Sequence, residues 1–256
     1  MAIFKKIGKR LSKAYFKEPK MTHEEWATKK VYFPSQDISP ILGYFKIKFS
    51  PQYKLLFKLM DRPDVHTLFA KWASQSGKSL FEMLIIGYRL DNEPANVLYM
   101  QPIKDDIPKV LRLKINPVLK CIKDLWQKFE DYIATEGIRS KDAIKQLAGG
   151  SLVVSGSSVK ERKSLTVPLL VMDEIGEFDK GAVKEASERL KAFSKFFPKK
   201  IGVSTIVHPK DEICTNFENC EAIMEWRYKC PNCKDNFYPS RETFKFMTKK
   251  EFADLN

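Results

Sequence analysis

From His66 onward, short apolar runs alternate with longer stretches in which apolar residues recur at helical spacing, the pattern of a parallel sheet flanked by helices. Four runs predict strands: His66–Trp72, Ala95–Met100, Leu169–Asp173 and Ile201–Thr205. Ser151–Ser155 is a fifth strand or one arm of a hairpin. Helices are predicted over Lys78–Leu90, Asp105–Phe129 and Gly181–Phe197, the second interrupted near Pro117, which cannot continue a helical hydrogen-bond ladder. Ahead of this core, Phe4, Ile7, Leu11 and Tyr15 fall at helical spacing among seven lysines and arginines between Lys5 and Lys20, giving a short basic amphipathic helix. The pattern divides the chain into a basic N-terminal segment (1–48), an α/β core (49–212) and a Cys-containing extension (213–256).

Composition sharpens this picture. With 256 residues and 43% hydrophobic content the chain can fill a sizeable core. Its net charge of +13 favours a polyanionic partner such as nucleic acid, with solubility alone as the plainer alternative. No apolar run approaches the roughly 18 residues of a membrane span, and the Lys-rich start lacks the apolar stretch of a signal peptide. A cytoplasmic protein is expected. The odd set of five cysteines, four of them close together, points to a reducing compartment.

Chemistry enters at the strand ends. After the first strand comes Trp72-Ala73-Ser74-Gln75-Ser76-Gly77-Lys78-Ser79, and a helical pattern begins immediately afterwards. Strand, loop and helix in that order suit a phosphate cradle, in which backbone N–H groups and the positive helix end would face the anion, with an ordinary turn before a helix as the plainer alternative. Gly77 would permit close backbone approach, Lys78 would reach the β- and γ-phosphates of a nucleotide, and the Ser79 hydroxyl would ligate Mg²⁺. Trp72 stands where the usual pattern has its first glycine, so a strict motif search fails. The apolar run to Asp173-Glu174 reads as a buried strand opening into a ligand site. Asp173 would hold Mg²⁺ and Glu174 would polarise the attacking water. Ile201-Gly202-Val203-Ser204-Thr205 ends in two hydroxyls placed to report the γ-phosphate.

Together, Ser74 to Ser79, Leu170-Val171-Met172-Asp173-Glu174 and Gly202-Val203-Ser204-Thr205 resemble the three ATPase motifs of phage large terminase subunits, particularly the GpA-like family of tailed phages. The similarity runs from about Phe49 to Cys233. Phe49-Ser50-Pro51-Gln52-Tyr53 followed by Asp61-Arg62-Pro63 matches the family's adenine-reading segment, making Gln52 a candidate base contact or a plain helix-start residue. The resemblance implies a P-loop NTPase that hydrolyses ATP with Mg²⁺ and drives double-stranded DNA into a procapsid. It also implies a homo-oligomeric ring at the portal protein, a small terminase subunit as partner, and the host cytoplasm as location. The family's nuclease would need sequence beyond Asn256, so only the packaging ATPase is expected. Many relatives carry a basic residue within the loop; here Ser74 and Ser76 stand there, with Lys71 just before. An arginine finger would then come in trans, with Arg162, Arg189 and Arg139 as candidates.

Cys230-Pro231-Asn232-Cys233 has the spacing of half a zinc ribbon, and Cys214, Cys220 or His208 would have to complete the shell. Zn²⁺ and reduced thiols both remain open. The rival readings are a superfamily 2 helicase-like ATPase, which would need a second motor lobe, and a non-hydrolysing zinc-containing DNA-binding module, which would not need Lys78 and Glu174.

Overall fold

A computed structural model describes residues 20–36, 38–102, 107–136, 143–158, 165–230 and 232–237. The expected N-terminal basic helix lies outside the described residues, apart from Lys20. The chain forms two compact units, Met1–Cys220 and Glu221–Asn256.

In the first unit, a two-residue hairpin, β1 (Tyr32–Phe33) with β2 (Gly43–Tyr44), precedes a six-stranded sheet. Its strands are β3 (Thr67–Lys71), β4 (Asn96–Gln101), β5 (Ile144–Leu147), β6 (Gly150–Gly156), β7 (Leu169–Asp173) and β8 (Lys199–Ser204), in the order β3-β8-β7-β4-β6-β5. All neighbours are parallel except β5, which pairs antiparallel with β6. The Ser151–Ser155 run therefore satisfies both of its readings, since β6 is a sheet strand and one arm of a hairpin. The expected α/β class with a mainly parallel sheet is borne out.

Period-two alternation divides the core between the two faces of the sheet. Val97, Tyr99, Leu169 and Val171 pack with Trp26, Tyr53, Phe57, Phe81 and Ile86 from helices His23–Lys30, Gln52–Asp61 and Lys78–Asn92. Leu98, Met100, Leu170 and Met172 face Ala182, Val183 and Ala186 of helix Ala182–Ser187, together with Ile213 and Cys214 of helix Glu212–Glu218. Continuous apolar runs at β4 and β7 follow from burial on both sides.

Two helices differ from expectation. Within Asp105–Phe129, the described part runs as α-helix over Ile107–Val110, widens to a π turn over Leu111–Ile115, resumes over Asn116–Lys120, and restarts over Lys123–Glu136. Pro117 offers no N–H and its ring crowds the carbonyl four residues back; the wider turn, closed by Asn116 N–H donating to the Leu111 carbonyl, relieves that crowding. Gly181–Phe197 is helical at its start, but Glu188–Phe196 tightens to a 3₁₀ helix.

The second unit holds an antiparallel pairing of Tyr228–Lys229 with Asn236–Phe237. Its tip is closed by Cys230 N–H donating to the Asp235 carbonyl (2.8 Å) and Lys234 N–H donating to the Cys230 carbonyl (3.0 Å).

Candidate active site

Strand order decides where the predicted residues meet. β8 lies between β3 and β7, with Lys71 opposite Ser204 and Asp173 opposite Val203, so three parallel strands end side by side. The phosphate-loop candidate leaves β3, the acidic pair closes β7 and the two hydroxyl residues close β8. All three motifs converge on the carboxyl end of the sheet, where open α/β folds carry their sites.

Gly77 caps helix Lys78–Asn92 at φ +96°, a backbone position that disfavours any side chain. Gln75 is also left-handed at φ +56°. The loop is held from behind: Tyr53 Oη donates to the Gly77 carbonyl, Gln52 Nε2 donates to the Ser76 carbonyl at 3.3 Å, and Ser76 Oγ donates to the Ala73 carbonyl. Gln52 thus contacts the loop backbone. Ser74 and Gln75 are exposed, and Ser79 lies in the first helical turn beside buried Lys78.

Lys78 Nζ stands 3.1 Å from Glu174 Oε1. Glu174 adopts φ +49° at the turn leaving β7, an uncommon conformation for a residue with a side chain. Its Oε2 accepts from Ser204 Oγ at 3.3 Å, Thr205 N–H at 3.2 Å and Thr205 Oγ1 at 3.2 Å. The turn stays tight because Gly176 N–H donates to Ser204 Oγ at 3.0 Å, where a Cβ would lie 2.9 Å from the same oxygen. All three predicted motifs are therefore linked through one carboxylate.

Asp173 meets residues that were not predicted. Its Oδ2 accepts from Tyr99 Oη at 2.8 Å and from Lys114 Nζ. Lys114 Nζ also lies 3.4 Å from Oε2 of Glu82, which is fully buried one turn beyond Lys78. Burial, reinforced by the Asp173 charge, pushes the Glu82 carboxyl well above the carboxylate range. Burial pulls the Lys114 ammonium down, but Glu82 and Asp173 outweigh it and hold it above the ordinary lysine value. The Tyr99 hydroxyl is pushed up by burial and by the same carboxylates. One signal was available in the sequence: Glu82 interrupts the apolar run Leu80 to Ile86, where an acid is rarely buried without a partner.

The donor set fits a hard divalent cation: a first-turn hydroxyl at Ser79 and a carboxylate at Asp173 that already carries a positive charge beside it. The cysteines give zinc no support. Cys214 is packed in the core, where burial raises its thiol pKa, and Cys233 is exposed. Among the described residues no group of three or more His, Cys, Asp or Glu side chains converges. Arg162 and Arg139 lie outside the described residues. The Arg189 carbonyl accepts from Val167 N–H at 3.0 Å, which places its backbone at the start of β7, the end opposite the acidic pair.

The family model described as the phage terminase large subunit gpA ATPase domain matches residues 39–255. Among solved structures, the HK97 bacteriophage large terminase superposes with a TM-score of 0.58 at 13% identity, covering 77% of this chain and 40% of that one. This chain thus spans about two fifths of that terminase. The Thermus phage P74-26 large terminase ATPase domain gives a TM-score of 0.42 at 16% identity over 55% of this chain and 59% of that one. No curated protein matches the sequence.

Proposed function

The chain belongs to the family of phage terminase large subunit gpA ATPase domains, and from that membership we propose that it is the ATP-hydrolysing motor driving double-stranded DNA into a procapsid. The observation that carries the reading is the convergence at three adjacent strand ends, with Lys78 Nζ 3.1 Å from Glu174 Oε1 and Glu174 tied in turn to Ser204 and Thr205. Lys78 would leave Glu174 for the β- and γ-phosphates. Glu174, released on that side, would orient the attacking water and take its proton. Ser204 and Thr205, already bonded to Glu174, are suited to coupling loss of the γ-phosphate to movement of β8. Ser79 and Asp173 would hold magnesium, which when bound supplies charge neutralisation at the phosphate oxygens. The loop residues Ser74 to Gly77 would present backbone N–H groups to the phosphates.

In the same reading its partners are double-stranded DNA, favoured by the net charge of +13, the portal protein and procapsid, a small terminase subunit, and further copies of this chain in a ring that supplies the arginine. The setting is the cytoplasm of the infected host. Among the described residues, no helix is long and apolar enough to cross a membrane. The pairing of Lys78 with Glu174 favours a hydrolase over a non-hydrolysing DNA-binding module.

The test is magnesium-dependent ATP hydrolysis. Glu174→Gln should lower turnover at least about a hundredfold while leaving ADP affinity within a few-fold. Equal turnover in the variant would remove Glu174 from the chemistry. DNA affinity should fall steeply with added salt if lysines and arginines contact phosphates.

A further inference from the structure

We propose that Lys114 is the resident counter-cation of the metal site: its ammonium stands at Asp173 until a divalent cation arrives, then passes to Glu82 and shifts the widened helical turn that carries it. The inference rests on the ATPase reading and adds a positioning residue to it.

Three observations carry it. Lys114 Nζ shares Asp173 Oδ2 with Tyr99 Oη, so a divalent ion seated on Asp173 would face an ammonium at contact range. Like charges that close repel strongly, and the mobile partner is the lysine. A second seat is already formed. Glu82 is fully buried, and Lys114 Nζ already lies 3.4 Å from its Oε2. A movement of less than about 1 Å would bring the ammonium into a charge-assisted hydrogen bond with the Glu82 carboxyl oxygen, the charge being supplied by the lysine. Finally, Lys114 sits in the π turn Leu111–Ile115, ahead of Pro117. A widened turn can shift its hydrogen-bond register without unfolding the helix around it. Displacement of Lys114 would therefore reach exposed Arg112 and Leu113 on the same turn.

The experiment is calorimetric titration of the chain with ADP across a series of magnesium concentrations, read as the magnesium concentration that gives half the full ADP affinity. Lys114→Met removes the competing cation, so the half-saturating magnesium concentration should fall about tenfold, the equivalent of one charge-assisted hydrogen bond. Glu82→Met keeps the volume but removes the acceptor of the second seat, so the requirement should rise about threefold. Because it leaves the Lys114–Asp173 contact in place, this second variant tests the idea even if Lys114→Met fails to fold. An unchanged or higher requirement in Lys114→Met, or an unchanged or lower one in Glu82→Met, would overturn the inference and leave the ATPase reading standing. Absence of magnesium-dependent ADP binding in the unaltered chain would overturn both.

Discussion

Gly77→Ala tests whether the phosphate loop is built before nucleotide arrives. At φ +96° a Cβ carries a left-handed penalty of about 1–2 kcal/mol. It would also fall on the Tyr53 hydroxyl and 3.3 Å from Tyr53 Cζ. That displaces the donor to the Gly77 carbonyl, a loss of about 1 kcal/mol. The carbonyl keeps its helical partner, Phe81 N–H at 3.0 Å, so no orphaned acceptor adds to the cost. Gly77→Ala should therefore destabilise by about 2–3 kcal/mol in urea titrations. Tyr53→Phe, which removes only the hydroxyl, should cost about 1 kcal/mol. Because both changes break the same contact, the double variant should cost about as much as Gly77→Ala alone, leaving a coupling of about 1 kcal/mol. Strict additivity, or a cost for Gly77→Ala below about 0.5 kcal/mol, would refute a preformed loop braced by Tyr53.

Two further predictions concern the scaffold. Burial holds His23 below the ordinary imidazole value of 6.5, although Asp61 Oδ1 lies 2.5 Å from Nδ1 and acts the other way. The unfolded chain then binds a proton near pH 6.5 that the folded chain refuses until lower pH. Stability should fall as pH drops below about 6.5 and level off once the folded imidazole protonates. Comparing urea midpoints at about pH 7.5 and about pH 5.5 should show a smaller decline in His23→Gln, and an equal decline would contradict the assignment. In Gly87→Ala, the added carbon would meet Ile122 Cδ1 at 2.6 Å and Trp26 Cη2 at 2.9 Å. The overpacking should cost about 1–3 kcal/mol and lower the thermal midpoint.

What the sequence revealed depended on how local the signal was. β7 matches its expected span, Leu169–Asp173, because burial on both faces leaves a continuous apolar run ending abruptly in acids. β4 was legible to within a residue at each end for the same reason, and the edge strand β3, less buried, was equally legible from its short apolar run ahead of the loop. β5 was missed: Ile144-Lys145-Gln146-Leu147 is too short and too polar to announce a strand, and it pairs only through β6. Strand order was equally out of reach, since the placement of β8 between β3 and β7 is a fact of long-range pairing. The same limit hid Lys114 and Tyr99. Their partner Asp173 is 59 and 74 residues away in the chain, and neither Leu113-Lys114-Ile115 nor the apolar run around Tyr99 differs in pattern from an ordinary core element. Ser204 and Thr205 were found because they end a strand that follows two other motifs in a fixed order.

The central claim is that Lys78, Asp173, Glu174, Ser204 and Thr205 surround a single magnesium-bound triphosphate. A crystal structure of the chain with magnesium and a non-hydrolysable ATP analogue tests it most directly. The account predicts the terminal phosphates at Lys78 and the loop Ser74–Gly77, the metal between Ser79 and Asp173, and Glu174 facing the γ-phosphate. A nucleotide bound elsewhere, with Lys78 still paired to Glu174, would contradict it.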